Sequence, residues 1–382
     1  MTIKQMESRE DIYQIIVDTL SNYFNETFGG GHLVKIVSRF KGEFVIYPRL
    51  GFICHRFPSR KVIREMFRSY NVRNSLLKRI VARFYIMLCV FSFGLFAKKG
   101  LYFKGIKSIN RDTLIIPNNR RIRIHYYDTM VADVLLKAGF DNHCYLKEIN
   151  FRKNNSYDYI VPIFNVENDR YREPLIIGSG IIRAAKRNLD FYERMMYKEL
   201  IDFQANTLKY VPVQDYFEQK HQQALSIIND KSSGVWLSSS NKLFLDKMLS
   251  KISSTISESQ ATIQVCSSHG DFQGGNVMTD IVNKKVYLID WETIDCRSFV
   301  YDFITYYYNT RRKGKLKELL KKNGTPISDM LTNVGFNCHD ILDENLYLNV
   351  FLIEDMLFYL EECSLLNRPE GSDILKRFID EF

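Results

Sequence analysis

The chain has 382 residues, 46% hydrophobic and 25% charged, with a net charge of +9. That composition excludes a disordered or fibrous chain and leaves room for two or three packed units. Seven cysteines (Cys54, Cys89, Cys144, Cys266, Cys296, Cys338 and Cys363) are scattered, odd in number and without a CxxC pair; this excludes a disulfide scaffold and a thiolate zinc site and points to a reducing, cytoplasmic setting.

The charge is unevenly placed. Residues 1–110 carry 19 Lys and Arg against 7 Asp and Glu, a net of +12, whereas the remainder carries 34 against 37. The basic first third therefore reads as an extra unit with an anionic partner.

In chain order, residues 1–26 are polar and acid-rich and do not read as a secretory leader. Residues 9–28 place Ile12, Ile15, Ile16, Leu20, Tyr23 and Phe24 at helical spacing, and Gly29-Gly30-Gly31 ends that helix. Residues 32–57 read as strands turned at Lys41-Gly42. Residues 73–97 hold Leu76, Leu77, Ile80, Val81, Phe84, Met87, Leu88 and Phe91 at helical spacing, and the fourteen residues 84–97 carry no charge. Arg73, Lys78, Arg79 and Arg83 precede that run, and Lys98, Lys99, Lys104 and Lys107 follow it. A spanning helix wants about 20 residues. Two readings stay open: a buried helix of the first unit, or an interfacial helix with basic flanks on an anionic leaflet. Nucleic acid is not expected as a partner, because the bases flank an apolar run instead of interleaving with aromatics.

From residue 110 the pattern turns to short strands. Residues 112–117 and 121–127 pair as a hairpin across Asn118-Asn119, and residues 129–137 form a third strand. Residues 141–153 read as a helix capped by Asp141 or Asn142, and residues 161–166 and 172–177 as two more strands. Helices follow over residues 181–187, 190–210, 216–230 and 242–258. Residues 262–267 and 285–290 are strands, the second reached through a turn at Asn283-Lys284.

The chemistry concentrates at the end of this series. Ser268-His269-Gly270-Asp271 is followed by Asn276 and then by Asp290-Trp291-Glu292 at the end of an apolar strand. A loop carboxylate can orient a hydroxyl and take its proton, while an amide and a second carboxylate can hold a divalent cation on phosphate oxygens. Phosphoryl transfer needs an in-line acceptor and charge neutralisation more than covalent help. An Asp at a turn is by itself more often a cap, but this set joined to the apolar strand is specific.

The pattern His-x-Asp-x-x-x-x-Asn, then a strand ending Ile-Asp-Trp-Glu, resembles the aminoglycoside phosphotransferase and choline kinase family of the protein-kinase-like fold. The resemblance implies Asp271 as catalytic base, Asn276 and Asp290 as magnesium ligands, and His269 as a loop brace. Asp302 is read as a structural cap bracing the catalytic loop. Gln273-Gly274 stands where the family often has His-Pro, and reads as loop variation. In the small lobe the resemblance implies Lys137 as the ATP-phosphate lysine, paired with Glu148. Asn118, Asn119 and Arg121 would cover the phosphates, and Gly178 lies in the hinge. Arg311 to Lys322 reads as a solvated basic run, and residues 337–382, with 11 acids against 3 bases, as acceptor-side helices.

The expected fold is α+β and bilobal, protein-kinase-like, with an extra N-terminal α/β unit: residues 1–109 as the basic extension, 110–180 as the small lobe and 181–382 as the large lobe. The expected activity is ATP- and Mg2+-dependent phosphotransfer to a hydroxyl of a small molecule or glycan, such as a sugar of a lipid-linked or cell-surface polysaccharide. Localisation is expected to be cytoplasmic, with peripheral contact to an anionic membrane through residues 73–107. The competing readings are a nucleotide-binding pseudokinase that docks a membrane or protein partner, an aminoglycoside- or choline-type kinase, and a protein kinase. Asp-Trp-Glu in place of Asp-Phe-Gly, with no activation segment, argues against the last.

Overall fold

The computed structural model describes residues 3–6, 11–29, 31–69, 76–92, 94–104, 106, 109–184, 186–280, 282–322, 326–335, 343–366, 369 and 371–382. The chain divides into two compact units: residues 1–192 with 278–289, and residues 193–277 with 290–382.

In the first unit a one-turn segment, α1 (Ile3–Met6), precedes α2 (Ile12–Phe28). Asp11 accepts the N–H of Gln14 and caps the helix, and Gly29, at φ +82°, ends it. Strands β1 (Leu33–Val37), β2 (Phe44–Tyr47) and β3 (Phe52–His55) precede helices α3 (Arg60–Ser69) and α4 (Leu76–Phe91). Then come β4 (Lys99–Lys104), β5 (Thr113–Pro117), β6 (Arg121–Tyr126), β7 (Val131–Leu136), α5 (His143–Asn154), β8 (Arg170–Pro174) and β9 (Gly178–Gly180); α6 (Lys186–Ala205) follows, most of it counted with the second unit.

Eight of these strands form one antiparallel sheet in the order β1-β4-β2-β3-β5-β6-β7-β8. The strands of the basic first third therefore continue the sheet of residues 113–174 instead of standing apart from it. Strand β4 sits between β1 and β2, so the turn expected at Lys41-Gly42 does not join paired strands. Of the strand expected at 161–166, Phe164 makes an isolated bridge to Arg172.

Side chains alternate across this sheet with the period of two that a strand imposes. Phe44, Ile46, Ile53, Ile115, Ile122, Ile124 and Leu135 join α2 in one core. Val45, Cys54 and Leu114 point to the other face and pack with Val62 and Met66 of α3 and Ile86, Cys89 and Val90 of α4. Farther along that face, Val134 and Tyr171 pack with Tyr145 and Ile149 of α5. The hairpin of β12 (Val277–Asp280) and β13 (Lys285–Leu288) joins β9 in a small sheet of this unit.

In the second unit, β10 (Lys209–Pro212), β11 (Thr262–Ser268) and β14 (Asp295–Ser298) form a three-stranded sheet in that order. The helix expected to run to residue 210 stops at Ala205, because residues 209–212 pair with β11 instead. The helices are α7 (Val213–Ile228), α8 (Ser239–Ile256), α9 (Val300–Tyr307), α10 (Lys315–Leu320), α11 (Pro326–Asn333), α12 (Glu344–Leu366) and α13 (Gly371–Ile379). Among the described residues no helix is long and apolar enough to cross a membrane.

Candidate active site

The loop after β11 is held from below by one buried carboxylate. Asp302, in the first turn of α9 and fully buried, accepts the Ser268 hydroxyl at 3.0 Å, the His269 N–H at 2.8 Å and the Gly270 N–H at 3.0 Å. Those donors offset the cost of taking a carboxylate out of water and fix three consecutive residues of the loop. Gly270 has φ +85°, and a Cβ there would lie 2.3 Å from the Thr293 carbonyl oxygen, so the turn admits only glycine. The His269 ring is buried beside Trp291, centroids 4.6 Å apart, and Trp291 in turn meets Phe203 at 5.1 Å.

This turn presents Asp271, whose side chain keeps 21% of its surface, enough for a substrate hydroxyl to reach it. Its Oδ2 accepts Gln273 Nε2 at 2.8 Å and Asn276 Nδ2 at 2.9 Å, and its Oδ1 lies 3.4 Å from Arg311 Nε. Asn276 Nδ2 also donates to the Asp271 carbonyl at 2.8 Å. With its amide nitrogen so engaged, Asn276 has its Oδ1 to offer a ligand.

Arg311 is not part of a solvated run. Its side chain is 8% exposed and ion-paired to the buried Asp355 of α12. It also donates to the Tyr301 hydroxyl at 2.6 Å and to the Gly270 carbonyl at 3.0 Å, and stacks on Phe358, 3.7 Å from the ring centroid. Burial alone would push its pKa down; Asp355, Tyr301, Tyr359 and Asp271 more than offset this and hold it well above the ordinary value. The neighbouring acid of α12, Glu354, is buried as well. It accepts the Ser298 hydroxyl at 2.6 Å and the Tyr216 hydroxyl at 2.6 Å. Burial raises its pKa, and those hydrogen bonds offset this in part. Neither acid is available to an acceptor.

Asp290 has φ +70°, a left-handed conformation rare outside glycine, at the start of the short 3-10 turn Trp291–Thr293. Strain of this kind costs on the order of 1–3 kcal/mol and collects where a side chain must be aimed. Among the described residues no group of three or more His, Cys, Asp or Glu side chains is placed to hold a metal. The Asn276 amide oxygen and the Asp290 carboxylate are hard oxygens. Oxygens of this type fit magnesium, which takes one or two protein oxygens and keeps water and phosphate for the rest.

In the first unit, Asn118 and Asn119 are exposed at the β5–β6 turn, closed by the Asn118 N–H on the Arg121 carbonyl at 2.7 Å. The expected pair of Lys137 and Glu148 is corrected by strand parity. Residues 131 and 135 pack toward α2, so 137 follows them; Lys137 is buried with Nζ 3.4 Å from Met6 Sδ, lining a cavity of about 210 Å³ with Thr19, Tyr23 and Arg170. Glu148 on α5 lies against the opposite face. There it pairs with Arg121 at 2.5 Å and Arg152 at 2.8 Å, and Arg152 reaches on to Glu173 at 2.7 Å. Burial would raise the Glu148 pKa; the two guanidiniums outweigh it and bring it to about 2. At Gly178 a Cβ would meet the Thr279 carbonyl oxygen at 1.8 Å, so this position is set by the close approach of β9 to β12.

Residues 236–322, which contain Asp271, Asn276, Asp290, Asp302 and Arg311, match the profile of the phosphotransferase enzyme family. No curated protein matches the chain. Among solved structures, the chain is similar to an ethanolamine kinase of Plasmodium vivax, at 11% identity and a TM-score of 0.46 over 85% of this chain and 93% of that one. A choline kinase from Cryptosporidium parvum Iowa II gives 10% identity and a TM-score of 0.44 over 72% and 91%. The gentamicin complex of APH(2")-IIa gives 12% and 0.44 over 69% and 88%.

Within residues 236–322, sequence reasoning missed Gln273 and Arg311. Gln273 read as loop variation, yet its amide is one of two that orient Asp271. The signal for Arg311 was present in Asp355, an acid inside the apolar run of α12, where a buried partner is required.

Proposed function

We propose that this chain is a kinase that transfers the terminal phosphoryl group of ATP, with magnesium, to a hydroxyl of a small molecule or glycan. The observation that carries this reading is Asp271: a partly exposed carboxylate oriented by Gln273 and Asn276 on a loop that Asp302 pins. It lies within the segment that matches a phosphotransferase family. In this reading Asp271 aligns the acceptor hydroxyl and takes its proton. Asn276 and Asp290 hold magnesium, which neutralises charge on the phosphates when bound. His269 and Asp302 brace the loop. In the first unit Asn118, Asn119, Arg121 and the backbone at Gly178 serve the nucleotide, and Glu148 positions Arg121, the role first expected of Lys137.

The acceptor class we propose is a sugar of a lipid-linked or cell-surface polysaccharide. What supports it is the basic, apolar stretch 73–107, which fits a cytoplasmic enzyme held peripherally at an anionic membrane.

The test is transfer of labelled terminal phosphate from ATP into a cell extract separated into metabolite, lipid and glycan, and protein fractions. Wild type is expected to label the lipid and glycan fraction, and Asp290→Ala to label none. Label confined to protein would overturn the acceptor class. Absence of label everywhere, with magnesium-dependent ATP binding intact, would make the chain a nucleotide-binding scaffold.

A further inference from the structure

Helix α4 is amphipathic in an inverted sense: its outward face is the greasier one. Ile86, Cys89 and Val90 are buried against the sheet, and the Tyr47 hydroxyl donates to the Cys89 carbonyl at 2.8 Å. The opposite side exposes Leu76 (67%), Leu77 (71%), Ile80, Val81, Phe84 (64%), Met87, Leu88 and Phe91 (60%). At about 100° per residue these eight positions fill a continuous arc of roughly 140° with no polar residue inside it. Leu95 and Phe96 extend the surface past the helix end, where Arg39 donates to the Leu95 carbonyl at 2.7 Å and stacks on the exposed Phe40.

Contiguous apolar surface of this kind marks a binding site. The charge around it selects the partner. From Met66 to Arg111 the sequence has ten Lys and Arg and no Asp or Glu; the exposed Arg83 falls at one border of the arc, with the part-buried Arg79 one turn before it. A protein partner would normally be met by charges of both signs. A stretch of chain that is purely cationic around a purely apolar arc matches the interface of an anionic bilayer: acyl chains below, headgroup phosphates at the border. Helix α4, at 16 residues, is too short to span and is fixed to the sheet along its other side, so it lies in the plane of the surface.

We propose that the exposed face of α4, with Leu95, Phe96 and Phe40, inserts into the headgroup region of an anionic membrane, with Arg79, Arg83 and Arg39 on lipid phosphates. This deepens the peripheral contact proposed above and is independent of the phosphotransferase reading, because it requires neither nucleotide nor acceptor.

The experiment is sedimentation of the full chain, without nucleotide, with vesicles of phosphatidylcholine alone or containing about 30% phosphatidylglycerol. Wild type is expected to sediment with the anionic vesicles. The double variant Phe84→Ser, Leu88→Ser should lose at least about tenfold in partitioning, and Arg79→Gln with Arg83→Gln about fivefold per charge. Phe84 and Leu88 are exposed, so the thermal melt of the serine variant should be unchanged. As a second readout, Phe84→Trp should shift its emission to the blue on anionic vesicles; the native Trp236 and Trp291 are buried and do not report this surface. Failure to sediment, equal binding to neutral vesicles, or a dimer that the serine variant dissociates while vesicle binding persists would each overturn the assignment.

Discussion

Asp271→Ala is expected to lower kcat for phosphoryl transfer by about 10²–10⁴-fold, the usual contribution of a positioned general base. Nucleotide affinity should stay within about twofold, since a base that acts on the acceptor holds no nucleotide phosphate. The geometry makes the substitution a clean one. Asn276 Nδ2 has two acceptors, the Asp271 carboxylate and the Asp271 main-chain carbonyl at 2.8 Å, and the second survives the change. The loop beneath is held by Asp302 through backbone N–H groups of residues 269 and 270, which the change does not touch. A fall in kcat with unchanged Kd for ATP and unchanged Tm would therefore be the loss of the carboxylate itself. Single-turnover transfer of labelled phosphate measures it, and normal turnover in Asp271→Ala would refute the role.

What the sequence disclosed about this site depends on how local each relation is. Asp271, Asn276 and Asp290 lie within twenty residues of one another along the chain, so their spacing alone makes them candidates. The loop's support was half legible. Asp302 lies close enough in the chain to read as a brace, whereas Arg311 hides in a run of lysines and arginines. Only its fold partners, Asp355 and the rings of Tyr301 and Phe358, set it apart from Arg312 and Lys313. In the first unit the elements themselves were legible, since hairpin, third strand and helix all lie near their expected positions. The assignment of Lys137 failed on a single residue of parity, because one step along a strand turns a side chain to the opposite face. The insertion of β4 between β1 and β2 is a pairing of residues some 60 positions apart, for which periodicity carries no signal. The same limit applied to residues 84–97: an apolar run reads alike whether buried or bare, and only the packed structure separates Ile86 from Phe84.

Glu148→Gln is expected to cost the first unit about 3–5 kcal/mol, the range for removing one member of a buried ion set, and to lower its Tm by roughly 10 °C. The cluster holds Arg121, Arg152 and Arg123 against Glu148 and Glu173, all but Arg123 below a tenth exposed, and loss of one carboxylate leaves three guanidiniums on one acid. Its pH dependence has a definite sign. The Glu148 carboxyl sits at about 2 in the folded protein against an ordinary 4.5. The unfolded chain therefore takes up the proton first as pH falls, and the stabilisation is complete above about 4.5 and lost between there and about 2. The Tm difference between wild type and Glu148→Gln should then be full at pH 7 and shrink steadily as pH falls below about 4.5, even as other carboxylates titrate equally in both proteins. A difference that stays constant down to pH near 2 would mean that the side chain acts through packing and not through its charge. Lys137→Met provides the contrast, because its side chain lies on the α2 face of the sheet: its melts should show none of this acid-sensitive difference, while Arg121→Met should reproduce the Glu148→Gln loss.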